Sequence, residues 1–249
     1  MSERLYNIRL TVAYDGSRYH GWQRQKNSTT VQGNIEDRIR LMIGEHPRLI
    51  ASGRTDAGVH AHRQVCNFVT RSKIRPPAIR KGLNSLLEDD IFIIEAAYVP
   101  MKFHARYSAV SKTYEYLILN REDPDIFRRN YLWHVRPPLD SKLMAGALSL
   151  LEGTHDFSSF RSSGSDNHNP VRTVTRAELH NPADGLLRII IEADGFLRHM
   201  VRNIVGTLAG VGRGKITPRR FEEIFGSKDR RLAGVKAPPQ GLFLVEVRY

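Results

Sequence analysis

The densest run of potentially reactive side chains is Ser52-Gly53-Arg54-Thr55-Asp56-Ala57-Gly58-Val59-His60-Ala61-His62. Its two glycines allow a sharp turn and the close approach of a ligand to the backbone. A carboxylate next to a guanidinium stays ionised, which suits Asp56 to work as a nucleophile or a general base. The same spacing also suits a loop held by a local Arg–Asp pair, so spacing alone leaves both readings open. Farther along, Lys112-Thr113-Tyr114-Glu115-Tyr116 places two tyrosines on one face of a strand, either as core aromatics or as a platform on which a base stacks. Arg198 and Arg202 stand four apart in an apolar helical pattern, with His199 and Asn203 beside them. A buried guanidinium there needs a partner, and a catalytic carboxylate is one candidate.

Other motifs carry less. His60-x-His62 invites a metal, with Asp56 and His104 as further ligands, but no third ligand stands at a recognisable spacing. Gly210-Val211-Gly212-Arg213-Gly214-Lys215 mimics a phosphate loop. Ile216 occupies the place of the required Ser or Thr, and the run ends a helix instead of opening one, so nucleoside triphosphate binding is rejected. Cys66, the single cysteine, lies in an apolar strand and reads as a buried thiol.

These groups must be positioned by a chain of 249 residues with a formal charge of +12. Its 41% hydrophobic and 26% charged residues are those of an ordinary folded protein. Arginine outnumbers lysine 29 to 9, and the positive excess divides evenly, +6 in residues 1–104 and +6 in 105–249. Guanidinium groups grip phosphate and stack on bases, so a nucleic-acid partner is favoured over a generically basic surface. One cysteine excludes an intrachain disulfide, and no apolar run reaches the ~18 residues of a membrane span. Met1-Ser2-Glu3-Arg4 leads straight into a strand pattern without an apolar signal core, so a cytoplasmic location is expected.

Tyr6, Ile8, Leu10, Val12 and Tyr14 alternate as a strand ending at Asp15-Gly16. Thr29-x-x-Gln32 signals a capping box before a helix faced by Val31, Ile35, Ile39, Met42 and Ile43. Leu49–Ala51 and Val65–Val69 read as strands, Pro76-Pro77 opens a helix with Ile79, Leu83 and Leu86 inward, and Ile91–Val99 is a strand. The order β-α-β-β-α-β is the split βαβ arrangement.

The second half reads as a decorated copy. A strand spans Tyr107–Leu119, a helix runs from about Ser141 to Leu151, and a polar loop covers Arg161 to Pro170. A strand pair, Val171–His180 and Leu186–Ala193, follows. A helix begins at Phe196, Thr217-Pro218 caps a shorter one, and Leu242–Val247 is the closing strand. The expected fold is α+β, with two ferredoxin-like halves, 1–104 and 105–249, whose antiparallel sheets lie side by side with a basic cleft between them.

Tyr14-Asp15-Gly16, Gly21-Trp22-Gln23 and Gly53-Arg54-Thr55-Asp56-Ala57-Gly58-Val59-His60-Ala61 together resemble the tRNA pseudouridine synthase A family. Phe103-His104-Ala105-Arg106, Lys112-x-Tyr114-x-Tyr116, His155-Asp156-Phe157-x-x-Phe160 and Met200-Val201-Arg202-Asn203-Ile204-Val205-Gly206 extend the match, in the family's order, across nearly the whole chain. The resemblance implies an enzyme that isomerises uridine to pseudouridine at tRNA nucleotides 38, 39 and 40, in the anticodon stem-loop. It implies Asp56 as the essential carboxylate, Tyr114 stacking on the target base, Arg202 pairing with Asp56, and Arg54 holding the target nucleotide out. His60 and Arg106, inside matched motifs, are expected at the substrate. It further implies a homodimer of two-domain subunits, without metal or organic cofactor. A non-catalytic RNA-binding protein on the same scaffold, and a metal-dependent phosphoesterase using His60 and His62, are the competing readings.

Overall fold

Strand β1 (Tyr6–Tyr14) forms where the period-two alternation stands, and Ile8, Leu10 and Val12 are wholly buried. The computed structural model describes residues 4–164 and 169–249 of the chain. Residues divide into two compact units, one reaching to Val110 and taking in Leu244–Tyr249, the other spanning Ser111–Phe243.

In the first unit β1 is followed by α1 (Val31–Ile43), β2 (Ile50–Ala51), β3 (His60–Thr70), α2 (Pro76–Leu86) and β4 (Ile91–Val99). The strands run in the order β4-β1-β3, with β2 on β3, and every pairing is antiparallel. That is the split βαβ sheet expected from the element order. The final strand, β10 (Leu242–Arg248), enters this unit from Leu244 onward and neighbours β3. Ile35 and Ile39 of α1 and Ile79 and Leu83 of α2 are buried to within 2% of complete. Each such side chain contributes about 1.5–3 kcal/mol relative to an exposed one.

Three local expectations change. The cap of α1 is Thr30, whose hydroxyl accepts from Gly33 N at 3.2 Å, and not Thr29. Thr29 instead accepts His20 N through its carbonyl, while Gly21 O and Trp22 O take the N–H groups of Val31 and Gln32. The backbone bonds from residues 20–22 therefore set where the helix begins. Leu86 is 40% exposed, because it is the last residue of α2, and the chain is already turning where Asn84 clamps both the N–H and the carbonyl of Ile93. Strand β3 starts at His60, five residues before the apolar run that signals it.

The second unit contains β5 (Ser111–Leu119), β6 (Trp133–His134), α3 (Ser141–Ser149), β7 (Gly153–Asp156), β8 (Val171–His180), β9 (Leu186–Ala193), α4 (Met200–Gly212) and α5 (Pro218–Ser227). Its strand order is β5-β9-β8-β7, antiparallel throughout, with β6 alongside β5 in parallel. Asp140 caps α3 and Thr217 caps α5, each through its side-chain oxygen. Two starts differ from expectation. Tyr107–Val110 is not strand, because His104 ties these residues into a turn. Phe196–His199 is not helix, because His199 takes φ +61°, a left-handed conformation that ends one run of backbone and launches α4. The short strand β6 carries no alternation long enough to be seen in the sequence. Residues 165–168 of the polar Arg161–Pro170 loop lie outside the described residues. Among the described residues, no helix is long and apolar enough to cross a membrane.

Candidate active site

In the first unit, Asp56 sits half-buried on the loop between β2 and β3, just after the exposed Arg54 and the buried Thr55. The loop is fastened from behind by the two segments that precede α1. Trp22 N donates to Thr55 O at 3.1 Å, Gly58 N to Tyr19 O at 3.3 Å, and Val59 N closes back on Asp56 O at 3.2 Å. The hydroxyls of Tyr14 and Thr55 meet at 2.7 Å in a buried contact. Burial pushes the Tyr14 phenol well above its ordinary pKa, so it stays protonated and keeps a hydrogen to share with Thr55.

Close approach of backbone to backbone explains one glycine. Gly21 has φ +84°, and a Cβ there would lie 2.5 Å from Thr55 O and 3.0 Å from Asp56 C. The Gly21-Trp22 motif is thus the seat on which the aspartate loop rests. Gln64, fully buried on β3, holds the other end of the loop. Its carbonyl accepts from Ser52 Oγ at 2.6 Å and its amide donates to Gly53 O at 3.0 Å.

His60 is 2% exposed and faces the Asp15-Gly16 turn. Gly16 N lies 3.1 Å and Asp15 Oδ1 3.0 Å from the same imidazole nitrogen, Nδ1. That nitrogen accepts from Gly16 when bare and donates to Asp15 only when it carries a proton, so the two contacts belong to different states of the ring. His62, two residues on, is exposed. A register shift of β1 on β3 between Val12 and Tyr14 gives the two histidines different surroundings, although two apart on a regular strand would share a face. Among the described residues, no three His, Cys, Asp or Glu side chains are grouped to hold a metal ion.

In the second unit Tyr114 lies on β5 opposite Ile191 of β9, 8% exposed. The ring of Phe196 meets it edge-on, with centroids 4.9 Å apart and planes at 80°. Tyr116, two residues on, is a core residue. It is wholly buried, its hydroxyl donates to Pro238 O at 2.7 Å, and burial raises its pKa. The two tyrosines share a face of β5 and differ in their surroundings.

Arg202 is 7% exposed on the first turn of α4 and donates through Nε to Ala237 O at 2.8 Å, while Ala237 N donates back to Arg202 O at 3.0 Å. The 234–237 segment runs so close to α4 that a Cβ on Gly206 would stand 1.7 Å from Val235 O. Residues Arg202 and Gly206 of one motif are therefore two parts of one arrangement: the glycine admits the segment, and the segment aims the guanidinium. Asn203 is fully buried, with its amide on Phe160 O and its carbonyl accepting from Arg230. Arg198 precedes the helix and binds Ser163 O and Gly164 O, so it does not share a helical face with Arg202.

Sequence reasoning missed the supporting residues Thr55, Gln64 and Phe196. Gln64 left a legible signal, a neutral polar residue interrupting the apolar side of a strand. Thr55 and Phe196 left none, since their partners lie 41 and 82 positions away.

Comparison with known proteins places the chain among relatives of one kind. A family model described as tRNA pseudouridine synthase matches residues 10–108 and 147–249. The tRNA pseudouridine synthase A of a Thermoanaerobacter species is 49% identical over 243 residues, 98% of this chain and 99% of the relative. The Acetivibrio thermocellus protein of the same name is also 49% identical with the same coverage. That of a Geobacillus species is 44% identical over 250 residues, spanning 100% of this chain.

Proposed function

Because the chain belongs to the tRNA pseudouridine synthase family, we propose that it isomerises uridines 38, 39 and 40 of the tRNA anticodon stem-loop, with Asp56 as the catalytic carboxylate. The observation that carries the assignment is the aspartate loop. A half-buried carboxylate stands on backbone held from behind by Trp22, Tyr19, Tyr14 and Gln64, all drawn from or beside the matched motifs.

The reaction breaks the N1–C1′ bond, turns the uracil, and joins C5 to C1′. The C5 proton is lost and N1 gains one, so the product is an isomer and no electrons are exchanged with an outside group. Such chemistry needs a carboxylate to attack or deprotonate, and a pocket that retains the freed base. A base in a stem must first leave its stack, at a cost of about a few kcal/mol. Stacking on Tyr114, whose ring packs at right angles to that of Phe196, offsets that cost, and Arg54, exposed beside Asp56, holds the nucleotide out. Arg202, whose Nε is held on Ala237 O, is assigned as the partner of Asp56. Arg106 contributes an exposed cation for the RNA. His60 serves the site through the Asp15-Gly16 turn. The enzyme acts as a cytoplasmic homodimer.

The test is incubation with unmodified tRNA transcripts tritiated at uracil C5, in EDTA, followed by mapping of pseudouridine by primer-extension stops. Tritium release with stops at the three positions is expected. Transcripts that bind without release would refute the assignment and leave an RNA-binding protein, whereas cut RNA that disappears on chelation would point to a phosphoesterase.

A further inference from the structure

The Phe103-His104-Ala105-Arg106 motif has no part in the chemistry above beyond a cation, yet it is among the most carefully built turns of the first unit. Asn7 donates to Pro100 O at 3.1 Å and Phe103 O at 3.0 Å, and Asn67 accepts Ala105 N at 2.8 Å while donating to Asn7 Oδ1 at 2.9 Å. Both asparagines are 2% exposed, so this ladder is shielded from water. Tyr249 packs its ring on Phe103, with centroids 4.9 Å apart, and donates its hydroxyl to Ala105 O at 2.8 Å.

On that anchored base, His104 folds the chain back. Its Nδ1 accepts both Arg106 N and Tyr107 N at 3.2 Å, and Ser108 exchanges two bonds with the His104 backbone. The imidazole then stacks on the ring of Tyr107, with centroids 4.3 Å apart and planes at 30°. The Arg106 guanidinium carbon lies 5.6 Å from the same ring centroid.

The turn on that base holds in place a side chain that remains 77% exposed. Folding alone gives no return for it, since a tyrosine in solvent buries little apolar area. We propose that Tyr107 is a stacking platform for an exposed nucleobase of the RNA substrate, with Arg106 beside it for the adjoining phosphate. The inference rests on the reading of the protein as a tRNA-modifying enzyme and adds a contact to it. Three features favour a nucleic acid as the occupant. The ring is pre-oriented, which lowers the ordering cost of stacking. A guanidinium stands beside it, and Arg106 has no carboxylate partner among the described residues. No acidic residue occurs between Pro100 and Val110, while Lys102 and Arg106 do, in a chain of net charge +12.

The experiment is equilibrium binding of an unmodified tRNA transcript to the full-length protein and to Tyr107→Ala, Tyr107→Phe, Tyr107→Trp and Arg106→Ala, at several salt concentrations, with pseudouridine formation by the unsubstituted protein read in parallel. Tyr107→Ala is expected to weaken binding about tenfold with an unchanged salt slope, whereas the Phe and Trp variants bind within about twofold of the parent. Arg106→Ala is expected to reduce the salt slope by about one. Binding by Tyr107→Ala within about twofold of the parent overturns the proposal, as does a Phe variant as weak as the Ala variant. A change of oligomeric state in Tyr107→Ala, read by sedimentation, also overturns it by placing the ring against a second copy of the chain. Pseudouridine formation together with an indifferent Tyr107→Ala would defeat this inference alone. Absence of pseudouridine with weakened binding by Tyr107→Ala would defeat the catalytic assignment and leave the platform standing.

Discussion

Replacing Gly21 by alanine should damage the aspartate loop out of proportion to the one carbon added. Two costs are separable. An L-residue at φ +84° is in the left-handed region, which costs about 1–2 kcal/mol. The new Cβ would also lie 2.5 Å from Thr55 O, 3.0 Å from Asp56 C and 3.1 Å from Ala57 N. All three are backbone atoms, so no rotamer change relieves the contact, and the loop must move by several tenths of an ångström or more. That shift strains the Trp22 N to Thr55 O bond, whose net value is about 1 kcal/mol. The sum is a loss of about 2–3 kcal/mol in stability. Displacing a catalytic group by about 1 Å costs on the order of a hundredfold in rate, so turnover should fall by about one to two orders of magnitude.

Gly44 provides the control. It has φ +70° with nothing within 4 Å of its would-be Cβ, so Gly44→Ala carries the conformational cost alone, about 1–2 kcal/mol, and leaves turnover intact. Urea unfolding and C5 tritium release on both variants make the comparison. Equal stability loss and equal turnover in Gly21→Ala and Gly44→Ala would refute the idea that residue 21 seats the aspartate loop.

Two further outcomes test the local structure. Thr30→Ala should destabilise by about 1 kcal/mol through loss of the cap on Gly33 N, whereas Thr29→Ala, whose side chain makes no cap, should fall within about 0.5 kcal/mol of the parent; the midpoints of urea unfolding decide between them. Cys66 is fully buried, and burial pushes its thiol pKa far above the ordinary range, so in native buffer at pH 8 it should resist a thiol-specific disulfide reagent and react fully only in denaturant; rapid native labelling would contradict the packing of β3.

Much of this was legible in the residues. Strands β1, β8 and β9 carry clean alternation or dense β-branched runs, and α2 opens on two prolines that cannot sit farther into a helix, so each element appears where its pattern stands. Local patterns failed where a distant segment decides. Locally the Gln32 of a capping box favours Thr29, and the bonds that the carbonyls of Gly21 and Trp22 take from Val31 and Gln32 move the start to Thr30. Tyr107–Val110 has strand-forming residues, yet the acceptor on His104 and the asparagine ladder bend it into a turn. The apolar pattern of α4 extends back to Phe196, but nothing in that pattern announces a left-handed His199. At the candidate site, type and spacing marked the Asp56 loop and the pairs Tyr114/Tyr116 and Arg198/Arg202, and only the family resemblance chose among them. The residues that hold them, Gln64, Phe196 and Ala237, act across gaps of chain that periodicity cannot see.

The most direct test of the central claim is single-turnover tritium release from C5-labelled tRNA by Asp56→Asn, with tRNA affinity measured on the same preparation. The substitution keeps the size of the side chain and removes its charge and basicity. The account predicts that release is abolished while affinity stays within a few-fold of the parent. Substantial pseudouridine from the pure Asp56→Asn protein would contradict it.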